Sequence, residues 1–209
     1  MKFYDVEQNT DAWYALRSGR LTSSKLPTVM SNIGKAFGEP AKKYAVAVAV
    51  EQITGQPMPG GYQNEHMARG HEQEPLARML YEDEMFCEVD NGGFFGADFV
   101  GCSPDGLIGD DGVIEIKSVI PSVHFASLKR QGVDPAYKWQ CIGNLKFTER
   151  KWLDFVSYCA DFPEGKKLFR YRILADELQD EFDMIDDRVL EFQSLVAETK
   201  KLILQAKYQ

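Results

Sequence analysis

The chain has no two cysteines close enough to form a CxxC pair; Cys87, Cys102, Cys141 and Cys159 are scattered. That spacing argues against a zinc ribbon or a thioredoxin-type redox site, and in a reducing compartment the four read as half-buried thiols. No apolar run approaches the roughly 20 residues that span a bilayer. The start, MKFYDVEQNT, lacks the basic-then-apolar pattern of a leader. A cytoplasmic protein with no membrane partner is the expectation. Repeats, low-complexity tracts and linkers are absent too, so 209 residues, 44% hydrophobic and 27% charged, read as a single domain.

Positive charge is also in short supply. A net charge of −8 weighs against a phosphate-binding protein, which needs Lys and Arg. The deficit is local, however. Eight acidic residues and one base, Arg188, fall between Asp176 and Glu191, whereas Arg17, Arg20, Lys25, Lys35, Lys42 and Lys43 gather near the start. Acids on an outer face and bases around a channel would reconcile the total with DNA binding.

Local patterns predict helices over 11–18, closed by Gly19, over 41–54, closed by Gly55, over 64–81 with a kink or restart at Pro75, and over 135–147. Thr22, Ser23 and Ser24 offer caps for another helix. A last amphipathic helix, 186–206, carries Val189, Phe192, Val196, Thr199 and Ile203 on one stripe. Strands are predicted over 86–89, 93–100, 106–108, 113–118, 152–159 and 167–174. Together these give an α/β fold: helices at about 11–82, a central mixed sheet at about 86–174 flanked by them, and a closing helix.

The informative segment is CSPDGLIGDDGVIEIKS, residues 102–118. A three-residue loop, Asp110-Asp111-Gly112, sets Gly109 against Val113, Leu107 against Glu115 and Asp105 against Lys117. Alternation then points Asp105, Glu115 and Lys117 to one face, and Ile114 and Ile116 to the core on the other. Two neighbouring carboxylates repel unless a cation lies between them, and oxygen ligands suit Mg²⁺ or Mn²⁺. Such an ion polarises a phosphodiester and acidifies a water, with the lysine orienting that water. The bland alternative is a surface hairpin with an exposed Asp105–Lys117 salt bridge. Charges alternating with isoleucines in a central strand weigh against it, because buried charges are costly unless paired or metal-bound.

Four segments in order extend this reading: DAWYALRSGRLTSS at 11–24, MARGHEQEP at 67–75, CSPDGL with IEIK at 102–117, and AYKWQ at 136–140. Over Ala12–Thr148 the chain resembles the lambda exonuclease (YqaJ-like) group of phage recombination nucleases, which have a PD-(D/E)xK (restriction-endonuclease-like) core. The resemblance implies a catalytic set of Asp105, Glu115 and Lys117. It implies two Mg²⁺ ions (or Mn²⁺), one held by Asp105, Glu115 and the Ile116 backbone carbonyl, the other by Glu74 and Asp105. Arg17, Ser24, Ser103 and Gln140 would hold the terminal 5′-phosphate of linear double-stranded DNA. Arg17 can fork onto a phosphate, and Ser24 stands at an expected helix N-terminus; Trp13 and Leu16 read as core. Met67 falls where the family has an apolar wedge that separates the strands, although a helical Met is more often a core residue. His71 reads either as a contact to metal or phosphate or as a plain helical histidine. A homotrimeric ring and a single-strand annealing protein are the implied partners. Apart from the resemblance, a restriction-type endonuclease, a junction resolvase or a non-catalytic DNA-end binder fits the hairpin as well.

Overall fold

The computed structural model describes residues 1–58 and 65–206, with the backbone but not the side chains of 65–68 and 71. The elements run β1 (Lys2–Tyr4), α1 (Asp11–Arg17), β2 (Leu21–Thr22), α2 (Leu26–Val29), α3 (Glu39–Thr54) and α4 (Glu65–Met85). Then follow β3 (Asp90–Asn91), β4 (Phe94–Gly96), β5 (Val100–Cys102), β6 (Gly106–Ile108) and β7 (Gly112–Ser118). The chain closes with α5 (Pro121–Arg130), α6 (Lys138–Thr148), β8 (Trp152–Tyr158), β9 (Leu168–Leu174) and α7 (Gln179–Gln205).

The fold is α/β, with its strands divided between two mixed sheets. The larger has the order β3-β6-β7-β8-β9, antiparallel except where β7 and β8 run parallel. The smaller has the order β1-β4-β5-β2, with β2 and β5 parallel. The predicted strand over 93–100 is a β4–β5 hairpin instead, because Ala97 N–H donates to the Val100 carbonyl and turns the chain.

Local chemistry accounts for two of the helix ends. Thr10 caps α1 by accepting from Trp13 N–H, and Gly55 closes α3 in the left-handed region at φ 66°. The helix expected after Thr22 is only a 3₁₀ turn, Ser23–Lys25, and the single turn α2, without a side-chain cap. Helix α4 passes through Pro75 and outlasts its expected end, reaching Met85, just short of the predicted 86–89 strand. There Cys87 N–H donates to the Glu82 carbonyl and Val89 N–H to the Glu82 side chain, which keeps 87–89 out of the sheet. Helix α5 and strands β1 and β2 had no expected counterpart.

The larger sheet is covered on both faces. On one face, Ala77 and Tyr81 of α4 pack with Val89, Ile114, Ile116, Val156 and Tyr158. The other face belongs to the main core, where Val113, Leu153 and Phe155 join Leu26 of α2, Val48 of α3, Leu145 of α6 and Phe192 of α7. Helix α7 starts seven residues earlier than expected and buries Ile185, Arg188, Phe192 and Val196, while Ile203 is 38% exposed. Arg188, the lone base of the acidic stretch, is a structural residue. It donates to the carbonyls of Val29, Ser31 and Lys35, and its guanidinium lies 3.7 Å from the Phe37 ring centroid.

Candidate active site

The hairpin of 102–118 forms with a register two residues from the predicted one. Gly106 pairs with Ile114, Leu107 with Val113 and Ile108 with Gly112. The loop is thus Gly109-Asp110-Asp111, and Gly109, not Gly112, takes the left-handed conformation at φ 52°. Gly112 is required for its size, since a Cβ there would fall 2.3 Å from the Trp152 ring. A slip of two residues preserves which side chains share a face. Ile114 and Ile116 are accordingly buried under α4, and Glu115 is fully buried on the face covered by α6.

Glu115 is surrounded by donors. Lys117 Nζ lies 2.5 Å from Oε1, Gln140 Nε2 donates to the same oxygen at 2.5 Å, and Asn144 Nδ2 donates to Oε2 at 2.6 Å. The ion pair of Lys117 is therefore with Glu115, not with Asp105 across an exposed hairpin. Asp105 Oδ2 accepts from the Ile116 N–H at 2.6 Å, and Asp105 N–H donates to the Ile114 carbonyl.

The electrostatics are those of too many carboxylates in too little water. Burial, then the adjacent Glu115 carboxylate, holds the Asp105 carboxyl well above the ordinary aspartate value, against the pull of Lys117. Glu74, on α4, pushes in the same direction, so the predicted third acid is within electrostatic reach of Asp105. Burial disfavours the Lys117 ammonium, but Glu115 and Asp105 outweigh it and hold the lysine charged. Among the described residues, no three acidic, histidine or cysteine side chains converge closely enough to cage a metal by themselves. The donor set nevertheless suits a hard divalent cation: oxygen atoms, excess buried negative charge, and Mg²⁺'s habit of keeping several waters. Asp105 and Glu115 would hold it, with the Ile116 carbonyl next to Glu115 in sequence and Glu74 beside Asp105.

A second cluster sits close by in the chain, since Ser103 is two residues from Asp105. Arg17 Nη1 donates to Ser103 Oγ at 3.2 Å, and Nη2 to Ser24 Oγ at 3.2 Å and Thr22 Oγ1 at 3.4 Å. Trp13 backs the guanidinium at 4.0 Å from its ring centroid and donates its indole N–H to Ser103 Oγ at 2.8 Å. Trp13 is buried, as a core residue should be, and in addition orients this cluster. Arg17, Ser24 and Ser103 thus come together as the sequence suggested. Two particulars differ. Ser24 rides on a 3₁₀ turn and Ser103 follows β5, so an anion here would be held by side chains and not by a helix N-terminus. Gln140 bonds Glu115 rather than joining Arg17. The side chains of Met67 and His71 lie outside the described residues.

Asn144 and Ser23 were missed from sequence. Asn144 follows Gln140 by one helical turn, so the periodicity that places Gln140 on the site places Asn144 there too.

Comparison with known proteins agrees with this architecture. The fold defines an α/β protein with a restriction-endonuclease-like core. Residues 12–151 match the YqaJ-like viral recombinase domain, and the chain belongs to that family. It is 32% identical to an alkaline exonuclease, LHK-Exo, from Laribacter hongkongensis, with TM-score 0.80 over 94% of this chain and 97% of that one. The same exonuclease in complex with dAMP matches at 32% identity and TM-score 0.80, covering 92% and 96%. A phage-related exonuclease from Haemophilus somnus 129PT shares the fold at 14% identity and TM-score 0.64, over 89% and 96%. No curated protein matches. Fold and family together make this a protein of the lambda-exonuclease type. No helix among the described residues is long and apolar enough to cross a membrane.

Proposed function

We propose that the chain is a Mg²⁺-dependent exonuclease that digests one strand of linear double-stranded DNA from its 5′ end. The product is a 3′ single-stranded tail for recombination, made in the cytoplasm of a bacterial host. The observation that carries this reading is the adjacency, through Ser103-Pro104-Asp105, of a guanidinium–hydroxyl cluster and a carboxylate–lysine cluster. One cluster has the chemistry to hold a terminal phosphate and the other to hydrolyse a phosphodiester. That a 32%-identical exonuclease takes dAMP, a nucleoside monophosphate, supports the same reading.

Bound Mg²⁺ or Mn²⁺ would supply Lewis-acid polarisation of the phosphodiester and acidification of a water. The chain's own residues do the rest. Asp105 and Glu115 bind and orient through oxygens fixed by Ile116 N–H, Gln140 and Asn144. Lys117, held charged by those carboxylates, donates from Nζ to the phosphate oxygens that gain charge, while the attacking water's proton passes to solvent and the departing oxygen is protonated from solvent. Arg17, backed by Trp13, and the hydroxyls of Ser24 and Ser103 grip the end phosphate and set which bond reaches the lysine. A homotrimeric ring and a single-strand annealing partner belong to the same proposal. Leu190, Leu202 and Leu204, each more than 60% exposed on α7, leave apolar surface that supports an assembly.

The test is digestion of 5′-phosphorylated linear duplex with Mg²⁺, beside a closed circle and a duplex with blocked 5′ ends. Only the first should be degraded. Cutting of the closed circle would replace the exonuclease with an endonuclease of the same superfamily. Light scattering of the purified protein reads the ring.

A further inference from the structure

Between the two clusters runs a buried hydrogen-bonded chain. Ser23 Oγ donates to Asn144 Oδ1 at 2.5 Å, and Asn144 Nδ2 donates to Glu115 Oε2 at 2.6 Å. Ser23 is 2% exposed and Asn144 fully buried. The residues on either side of Ser23 face the other way: Thr22 and Ser24 both accept from Arg17. One three-residue stretch, Thr22–Ser24, therefore holds the guanidinium with its outer hydroxyls and the carboxylate's amide partner with its middle one.

The packing makes this connection short and stiff. Helix α6 lies directly on the turn because residue 143 is glycine; a Cβ there would fall 2.3 Å from Leu26 Cδ1 and 3.1 Å from Ser23 Cβ. The serine also decides which way the amide points. By donating to Oδ1 it leaves Nδ2 for Glu115, whereas a reversed amide would set oxygen against carboxylate oxygen.

We infer that Asn144 is a positioning residue for Glu115 and that Ser23 couples it to the anion-binding turn, so that occupation of the Arg17–Ser24–Ser103 cluster tightens cation binding at Asp105 and Glu115. The coupling rests on the end-recognition reading above, and by linkage it runs both ways: a bound cation strengthens the hold on the end phosphate. A group that orients a metal carboxylate typically changes metal affinity by about 10–100-fold when removed.

The experiment compares wild type, Ser23→Ala and Asn144→Leu. Calorimetric titration with Mn²⁺ alone reads the carboxylate site, and cleavage rates on 5′-phosphorylated and 5′-hydroxyl duplexes read the coupling. Asn144→Leu should weaken Mn²⁺ binding by about tenfold or more. Ser23→Ala should weaken it by a smaller factor and lower the preference for the 5′-phosphate, although Arg17, Ser24 and Ser103 are untouched. Thermal melts of the metal-free variants separate these effects from unfolding. Should Asn144→Leu fail to fold, Ser23→Ala, which deletes one oxygen, decides the matter. Ser23→Ala with wild-type Mn²⁺ affinity and wild-type phosphate preference overturns the inference. A wild type that takes up Mn²⁺ but ignores the 5′-phosphate overturns end recognition and the coupling, while the Mn²⁺ titration of Asn144→Leu still judges the positioning role.

Discussion

Two buried carboxylates stand on neighbouring strands of one sheet and face opposite ways. Glu115, on β7, looks toward α6; Asp154, on β8, pairs in register with Ile114 and looks toward α4. Both are fully buried. Asp154 accepts from Tyr81 OH at 2.6 Å and from Arg172 Nε and Nη2 at 2.8 Å each, with Arg170 Nη1 at 3.3 Å. One acid with two guanidiniums is charge-satisfied, and the Trp152 ring covers Arg172 at 3.6 Å from its centroid. Glu115 shares one ammonium with Asp105, which also feels Glu74, so their side of the sheet stays short of positive charge. A buried acid alone therefore does not mark a catalytic site. What distinguishes one is an imbalance that folding leaves for a ligand to correct.

Substitutions can push that contrast until it fails. The largest effect should come from Lys117→Ala, which lowers the cleavage rate on the order of 10²–10³-fold, the usual scale for losing a group that meets developing charge. Its circular dichroism and melting curve should stay near wild type; a rate within threefold would sink the assignment. Asp154→Ala should do the reverse, costing about 3 kcal/mol of stability by leaving Arg170 and Arg172 unpaired. That figure is the low end for a broken buried pair, because both arginines are about a third exposed. Cleavage per folded molecule should survive at saturating Mg²⁺, and a denaturant titration beside a cleavage assay reads both. Tyr81→Phe removes one hydrogen bond to a charged partner and should cost about 1.5 kcal/mol by chemical denaturation.

The smallest effect has the opposite sign. Asp105→Asn should stabilise the metal-free protein at neutral pH by about 1 kcal/mol, since it removes charge where charge is in excess. The native Asp105 carboxyl titrates above its unfolded counterpart, whose ordinary value is near 3.8. Its contribution to stability is thus fully present below that value and lost as pH rises through the raised one. Metal-free wild type should lose stability over that window relative to Asp105→Asn, and melting curves without Mg²⁺ at several pH values check the sign. Equal slopes would mean that Asp105 is not the strained group.

The same contrast explains how much of the molecule was legible from its residues. Alternation fixes a face, not a partner, so Glu115 and Lys117 were assigned to the right side although the hairpin register was two residues off. The turn had two glycines to choose from, and Trp152, forty residues away in the chain, requires one of them within the strand. Short elements such as β1 and β2 are held by tertiary pairing and carry too few residues to show a period. Asp154 did have a signal, the lone acid of WLDFVSY, but its partners lie on another helix and another strand. Arg188 likewise stood out among eight acids, yet the Val29 carbonyl it satisfies lies 159 positions earlier. Composition shows an unpaired charge; only topology shows where its partner comes from.

Helix α4 joins the two acids mechanically. Glu74 and Tyr81 are seven residues apart, two turns on nearly the same side, and about 10 Å along the axis. It is one continuous helix through Pro75, its rear bolted by Tyr81 to Asp154 and its front carrying Glu74 within electrostatic reach of Asp105. A protein engineer who strengthens the bolt therefore also sets the aim of the front end. Stability and metal demand in this chain should evolve together, and libraries selected for heat tolerance at Tyr81, Asp154 or Arg172 should return variants with altered magnesium requirements.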